Sequence, residues 1–500
     1  MKTRKWPQRT GFALAALATL LVLALAFENY RGKRAWQRCR KELEAQGEVL
    51  EMAKLIPPPV PDDQNFARTP LLRPLGDFER GPRGQITWRD TNANGRVQAL
   101  FDWSGRGRSK GTWRDAAFTD LREAQQSLRE EVNSGSSVVR AWVQTPPAEP
   151  AADLLALLRG NQAELDELHA ALRRPASRFN INYEDSVGAL LPHLSVLRNA
   201  SRAFTLRAQA QLATGHPAAA LADVEDSLAL ADTIQTEPLL ISGLVRLAIL
   251  EQSLQPVWEG LARRQWNQEQ LAALQTRLER LNLVADLSRA MRGERVFCLA
   301  ALDYIRQNPG GGLEETGGLP PFLGYWLTGW VNQNRVTIAR LVQDNLLPAY
   351  DPTNRVVNLA AARAQWQQAE AELKSVSPYK IFAKLLLPAL GKVSERTARA
   401  QAAADLAVVA CALERCSLAR GAYPERLEQL VPDFIQRVPL DPASREPLQY
   451  RRSEDGRFVV WSVGANLKDD HGTPEAPRKS AARDAEPQGD WVWRYPAETP

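Results

Sequence analysis

Residues 187–234 read VGALLPHLSVLRNASRAFTLRAQAQLATGHPAAALADVEDSLALADTI. Apolar residues recur at three- and four-residue intervals along most of this stretch, the period of one helix face. Ala208, Gly215, Ala220 and Leu228 are spaced so that two antiparallel helices can approach closely. The same period predicts helices over 151–173, 237–263, 267–281 and 283–307. In the last, Leu287, Met291, Val296, Leu299, Leu302 and Ile305 follow helical spacing. The chain is therefore expected to be mainly α, with a body of helical hairpins over 151–391.

The four offsets at 208–228 resemble a tetratricopeptide unit. One repeat length further on, about 34 residues, the matching positions are Ser242, Ile249 and Leu254, so the pattern does not recur. The body is thus read as only partly tetratricopeptide-like. Asn308-Pro309-Gly310-Gly311-Gly312 and Gly317-Gly318 punctuate a loop. The aromatic stretch Leu319–Val331 (LPPFLGYWLTGWV) is too short to span a bilayer. It is expected to plug the helical core, with a dip into a membrane interface as the alternative. Helices at about 334–346 and 355–374 precede a proline-flanked segment at 378–391.

The 500 residues hold 63 Lys+Arg and 58 Asp+Glu, a net charge of +5. Residues 1–41 hold ten of the basic groups and one acid, Glu28, so the other 459 residues carry −4. The basic excess is local, which argues against a nucleic-acid-binding domain. It brackets Phe12–Phe27 (FALAALATLLVLALAF), 16 residues with only Thr19 mildly polar. As a helix this covers roughly 24 Å of a hydrocarbon core about 30 Å thick. Residues 1–27 are read as a cytoplasmic tail and single transmembrane anchor, with contact to the lipid bilayer through 12–27. Trp6, Tyr30 and Trp36 could sit in the interfaces. A cleaved signal peptide (Ala24-Leu25-Ala26) and a buried helix are the alternatives. Arg31, Lys33 and Arg34 favour the uncleaved anchor. Residues 28–150 begin with a helix to about residue 55, ended by Ile56-Pro57-Pro58-Pro59. Loops, short helices and a few short strands should follow.

The C-terminal region changes character. Ser394 is expected to cap a helix burying Leu406, Val409, Ala410 and Leu413, with Gly421 just past its end. Pro424 should start a short helix projecting Leu427, Leu430 and Val431. Pro447–Arg452 and Arg457–Val463 alternate around Ser453-Glu454-Asp455-Gly456, an antiparallel hairpin.

Tyr423-Pro424, Leu430-Val431-Pro432, Val438-Pro439-Leu440-Asp441-Pro442, Tyr450 and Trp461-Ser462-Val463-Gly464-Ala465-Asn466 occur in order. On these residues 394–472 resembles the globular half of the type II secretion major pseudopilins, relatives of type IV pilins. The resemblance implies a small α+β module, exported across the membrane, and leaves 473–500 as a flexible tail. It also implies a calcium-binding loop, for which Asn466, Asp469 and Asp470 offer hard oxygen ligands. Two features depart from the family. The membrane helix there runs directly into the module, and a prepilin cut at Gly11-Phe12 would require a glutamate where Ala16 stands. The whole chain resembles uncharacterised membrane-anchored bacterial envelope proteins.

No catalytic grouping emerges. The four histidines, His169, His193, His216 and His471, are scattered without metal-ligand spacing. Cys298, Cys411 and Cys416 read as small buried hydrophobes, and Cys39 as a candidate intermolecular disulfide. GxSxG and SxxK are absent. Gly105–Thr112 is basic but lacks the phosphate-loop order; with Trp103 and Trp113 it could touch anionic polymer or lipid headgroups. Asp62-Asp63 and Glu314-Glu315 read as loop acids. No catalytic residue and no other cofactor is assigned. The expectation is a non-enzymatic scaffold in the bacterial inner membrane, its bulk periplasmic and its partners envelope proteins. An accessory secretion component and an envelope hydrolase are the alternatives.

Overall fold

The computed structural model describes residues 6–81, 85–102, 111–133, 149–183, 188–307, 328–375, 377–386, 388–476 and 488–496. The protein is mainly helical, with a long N-terminal helix and small antiparallel sheets.

Helix α1 (Trp6–Ala45) contains the whole apolar run and continues 18 residues beyond it. Its end is a Schellman motif. Gly47 adopts φ +83°, its N–H donates to Glu44 O at 3.0 Å, and the Glu48 N–H donates to Leu43 O at 3.0 Å. The helix expected to reach residue 55 therefore stops ten residues earlier, because the left-handed glycine reverses the chain. The hairpin β1 (Phe78–Arg80) and β2 (Ile86–Trp88) follows, then α2 (Thr91–Ala99) and α3 (Leu121–Asn133).

The helical body contains α4 (Pro150–Leu158), α5 (Gln162–Ala171), α6 (Pro192–Ala213), α7 (Pro217–Asp232), α8 (Leu240–Ala262), α9 (Gln268–Glu279) and α10 (Leu283–Gln307). Ala208, Ala220 and Leu228 are buried where α6 meets α7, and Gly215 makes the turn at φ +77°. Then come α11 (Thr328–Arg340), which widens into a π-turn at Leu341–Leu346, the short pair β3 (Tyr350–Asp351) and β4 (Val356–Val357), α12 (Leu359–Lys374) and α13 (Ile381–Leu386). The aromatic segment before Thr328 and the Glu314-Glu315 pair lie outside the described residues.

Helix α14 (Val393–Arg420) is the centre of the core. Every residue from Ala402 to Glu414 is buried, not one face alone. Its alanines admit α8, α9 and α10 around it, the pattern of a helix enclosed on all sides. The core therefore runs unbroken across the boundary expected at residue 394. Ser394 is not the cap: Lys392 precedes the helix without a side-chain bond, and the buried Ser394 hydroxyl donates to Tyr350 Oη at 3.3 Å. Gly421 ends the helix at φ +78° as expected. Leu427 and Leu430 are buried in a single 3-10 turn, whereas Val431 is exposed.

The C-terminal sheet has the order β5 (Gln449–Arg452), β6 (Phe458–Ser462), β7 (Trp491–Trp493), all antiparallel. Gln449 pairs with Trp461 and Arg452 with Phe458 around the expected turn. Strand β7 corrects the expectation of a tail over 473–500. Trp491, Val492 and Trp493 are all buried, and the Trp493 ring packs 5.1 Å from that of Trp113.

Candidate functional site

The feature with the clearest functional geometry is α1. Among the described residues one helix is long and apolar enough to cross a membrane, and none of its most apolar window is buried. Phe12 is 81% exposed and Phe27 66%. From Glu28 onward one face of α1 meets the body along α11, while Tyr30 on the other face stays exposed. Arg31 bridges Glu28 at 2.9 Å and donates to Tyr379 Oη at 2.8 Å. Asn29 Oδ1 accepts from the Gly329 N–H at 2.6 Å. Gly32 faces Gly329 so closely that a Cβ on either would overlap the other helix's backbone. Further along, Trp36 lies under Arg335, 6.0 Å from its ring, and Cys39 and Leu43 are buried against Ala339. Trp36 is therefore a packing residue and not an interface anchor. Cys39 is enclosed, so the expected intermolecular disulfide has no exposed thiol to form it.

The contact ends in a buried ionic lock. The Schellman turn aims Glu48 at α10, where its Oε2 accepts from Arg295 Nη2 at 2.6 Å and its Oε1 from Arg292 Nε at 3.1 Å. Burial would raise the Glu48 carboxyl. The hydrogen bond and charge of Arg295, with those of Arg292, outweigh it and hold the group below the ordinary glutamate range. Sequence reasoning missed this pair, since Glu48 and Arg295 are 247 positions apart.

A second surface lies at the same end. Tyr379, which touches Arg31, leads directly into α13, where Ile381 is 57% exposed and Leu385 62%. Lys380 and Lys384 flank them. Asn334 ties this segment to α11 through Pro378 O at 2.8 Å and the Phe382 N–H at 3.1 Å.

The candidate calcium ligands fall on one loop, and their oxygens meet donors from the loop, from β6 and from Gly489. Asn466 Oδ1 accepts from the Lys468 N–H at 3.1 Å, while its Nδ2 donates to Asp470 Oδ2 at 2.8 Å. Asp469 Oδ1 accepts from Trp461 Nε1 at 2.9 Å and from the His471 N–H at 2.8 Å. Asp470 Oδ2 also accepts from the Gly489 N–H. Asp490, which sequence reasoning did not single out, closes the loop by accepting from the Gly472 and Asp470 N–H groups. Burial raises its carboxyl to about 6, against those two bonds. Among the described residues, no three His, Cys, Asp or Glu side chains are placed to hold a metal ion.

The residues that carry the pseudopilin resemblance converge. The buried Asp441 accepts from Ser462 Oγ at 2.7 Å, Val463 N–H at 2.9 Å and Ala443 N–H at 2.8 Å, pinning its loop to the end of β6. Tyr450 Oη donates to Pro424 O at 2.7 Å. Two of the histidines, His193 and His169, pack helices. His193 stacks on Phe179 and meets Glu237 at 2.9 Å. His169 meets Asp226 at 2.7 Å, joining α5 to α7. His216 bonds Thr214, and His471 lies beside Asp469. Cys298, Cys411 and Cys416 are buried and unpaired. Of the basic stretch 105–112, only Gly111 and Thr112 are described. Trp113 is buried, so it offers nothing to a polymer or headgroup. Asp62-Asp63 is exposed. No family model, curated protein or solved structure matches the chain.

Proposed function

We propose that the protein is a single-pass, membrane-anchored envelope protein of bacteria. In this reading the N-terminus is cytoplasmic and the body lies in the periplasm at the inner membrane, acting as a non-enzymatic scaffold for envelope partners. One observation carries the reading: the apolar, exposed half of α1 ends where its clamp to the body begins, at Glu28. A span of that kind fixes the body beside the bilayer, because no loop separates anchor from body. Ile381 and Leu385, flanked by lysines at the same end, suit an interface of acyl chains and anionic headgroups. Holding a body at one height raises its effective concentration toward partners at that height. Protease treatment of intact and permeabilised cells tests the reading. Residues 28–500 should be cleaved once the outer membrane is opened, with the inner membrane still sealed. A chain found soluble in the cytosol with its first thirty residues intact would overturn it.

A second reading, an accessory component of a type II secretion-like system, is supported by the convergence of Asp441, Ser462, Tyr450 and Pro424. Deletion should then trap an exported substrate inside the cell, and unimpaired secretion would sink this reading.

A further inference from the structure

A cavity of about 400 Å³ opens between α3, α6 and α8, within the size range of small-ligand sites. Helix α6 lines it with Arg198, Arg202, Thr205 and Gln209, which share one face at spacings of four, three and four. Such a polar stripe is unusual against the interior of a helical body, which is normally apolar.

Three of the polar side chains there lack full partners among the described residues. Arg198 makes no hydrogen bond or ion pair among the described residues, and its Nε is buried. Gln209 is only 7% exposed, yet its amide bonds to no described protein group. On the opposite wall, Gln252 spends its Nε2 on Ala248 O at 2.9 Å and leaves its Oε1 buried and unpaired. Buried polar groups are costly to leave unmatched. Their concentration around one cavity points to an occupant that matches them.

Charge states its sign. Arg114, Arg198 and Arg202 line the cavity against a single acid, Glu251, and Arg114 already engages that acid. Arg202 is engaged elsewhere, so Arg198 is the guanidinium without a counter-charge among the described residues. Guanidinium groups pair preferentially with oxyanions. The amide of Gln209, the unpaired Oε1 of Gln252 and the hydroxyl of Ser127 suit hydroxyl groups, while Leu128 and Leu206 can face carbon.

We propose that this cavity binds a phosphate monoester or diester carried on a short hydroxylated skeleton. That chemistry is shared by soluble polyol phosphates and by the phosphoglycerol headgroup of an anionic lipid. The site does not depend on the scaffold reading above, since its walls, from residues 111–128, α6 and α8, include no part of the anchor.

Isothermal titration of the full chain in phosphatidylcholine nanodiscs with glycerol phosphate tests it, with glycerol as the neutral control. Saturable binding of the phosphate and none of glycerol is expected. Arg198→Gln and Gln209→Leu should each weaken binding by about tenfold. Gln209→Leu keeps the side-chain volume, so its melting temperature shows that folding is intact and it decides the matter if Arg198→Gln does not fold. In phosphatidylglycerol nanodiscs, loss of glycerol phosphate binding assigns the site to headgroups, and retention assigns it to a soluble ligand; both support the site. No saturable heat up to about 10 mM, a Kd weaker than any specific site here should show, overturns the proposal. So does unchanged affinity in a folded Gln209→Leu.

Discussion

Replacing Glu48 with alanine should unlock the stem from the body. Arg295 is 0% exposed, and among the described residues Glu48 supplies its only carboxylate. Without it Arg295 keeps one bond, to Gln343 Oε1 at 2.7 Å, and its Nε has no partner even in the intact protein. Removing one member of a buried ion pair costs about 3–5 kcal/mol, because the other charge stays buried. Arg292, whose side chain is 41% exposed, adds at most about 1 kcal/mol. The expected loss is therefore about 3 kcal/mol, most of it through Arg295. Glu48→Gln, which keeps an acceptor, should lose about half as much. Replacing both partners with methionine should recover much of the deficit, since no charge is then stranded. Thermal unfolding of these proteins and of Glu48→Met and Arg295→Met alone, in one detergent and with proteolysis at residues 46–50, provides the cycle. The pH dependence has a definite sign. The folded carboxyl titrates below its unfolded value, so its contribution is complete above about pH 4.3 and is lost as the pH falls through the lower folded value. Glu48→Ala should remove that acid-limb component. A loss under about 1 kcal/mol, or an Arg295→Met cost that is the same with and without Glu48, would refute the lock.

Trp493→Ala should cost about 3–5 kcal/mol, because the ring is fully buried against Trp113; a melting temperature within two degrees of wild type would restore the tail reading. Burial raises the Asp405 carboxyl to about 7, with Gln401 and the charges of Arg355 and Arg437 opposing and Asp441 adding. The folded state holds this proton more tightly, so stability should fall as the pH rises from about 4 to about 7 and level off above. Asp405→Asn should flatten that slope in melts across the range, and an identical slope would exclude Asp405 as its source. Ile381→Asp with Leu385→Asp should leave the melting temperature of the chain unchanged while shortening the protection of α13 from aqueous quenchers in anionic vesicles; equal quenching of wild type and variant would remove the second membrane contact.

The helices of the body were legible because their apolar period is strong. Expected limits of 187–214, 217–234 and 237–263 compare with Pro192–Ala213, Pro217–Asp232 and Leu240–Ala262. The hairpin at 453–456 was legible from its turn residues. Strand β7 was not, since three residues, Trp-Val-Trp, are too few to display an alternation. The full burial of α14 was hidden by alanine, which packs against any neighbour while contributing little to an apolar face count. The cavity stripe at 198, 202, 205 and 209 was visible as a polar face, but a polar face usually means solvent. Only the third helix, α3, makes it an interior.

The end of α1 is the least legible part and the most consequential. In the sequence, Gly47 and Glu48 are unremarkable residues in a charged stretch, and the reading of 28–55 is a helix leaving the membrane freely. A free helix would let the body swing. The Schellman turn instead delivers Glu48 to Arg295, while Gly32 lets α1 lie against α11. The 18 residues Glu28–Ala45 thus run about 27 Å along the body. A helix gripped over that length cannot pivot at its exit, so the tilt of the span in the bilayer becomes the tilt of the body. A flexible tether spreads its cargo over many positions and dilutes each of them, whereas a clamped stem concentrates one face at one height. Partners that bind this protein should therefore depend on stem geometry. Inserting a flexible Gly-Ser segment between Phe27 and Glu28 should weaken partner capture even though anchor and body are both intact. Undiminished capture would mean that the anchor serves only to hold the chain at the membrane.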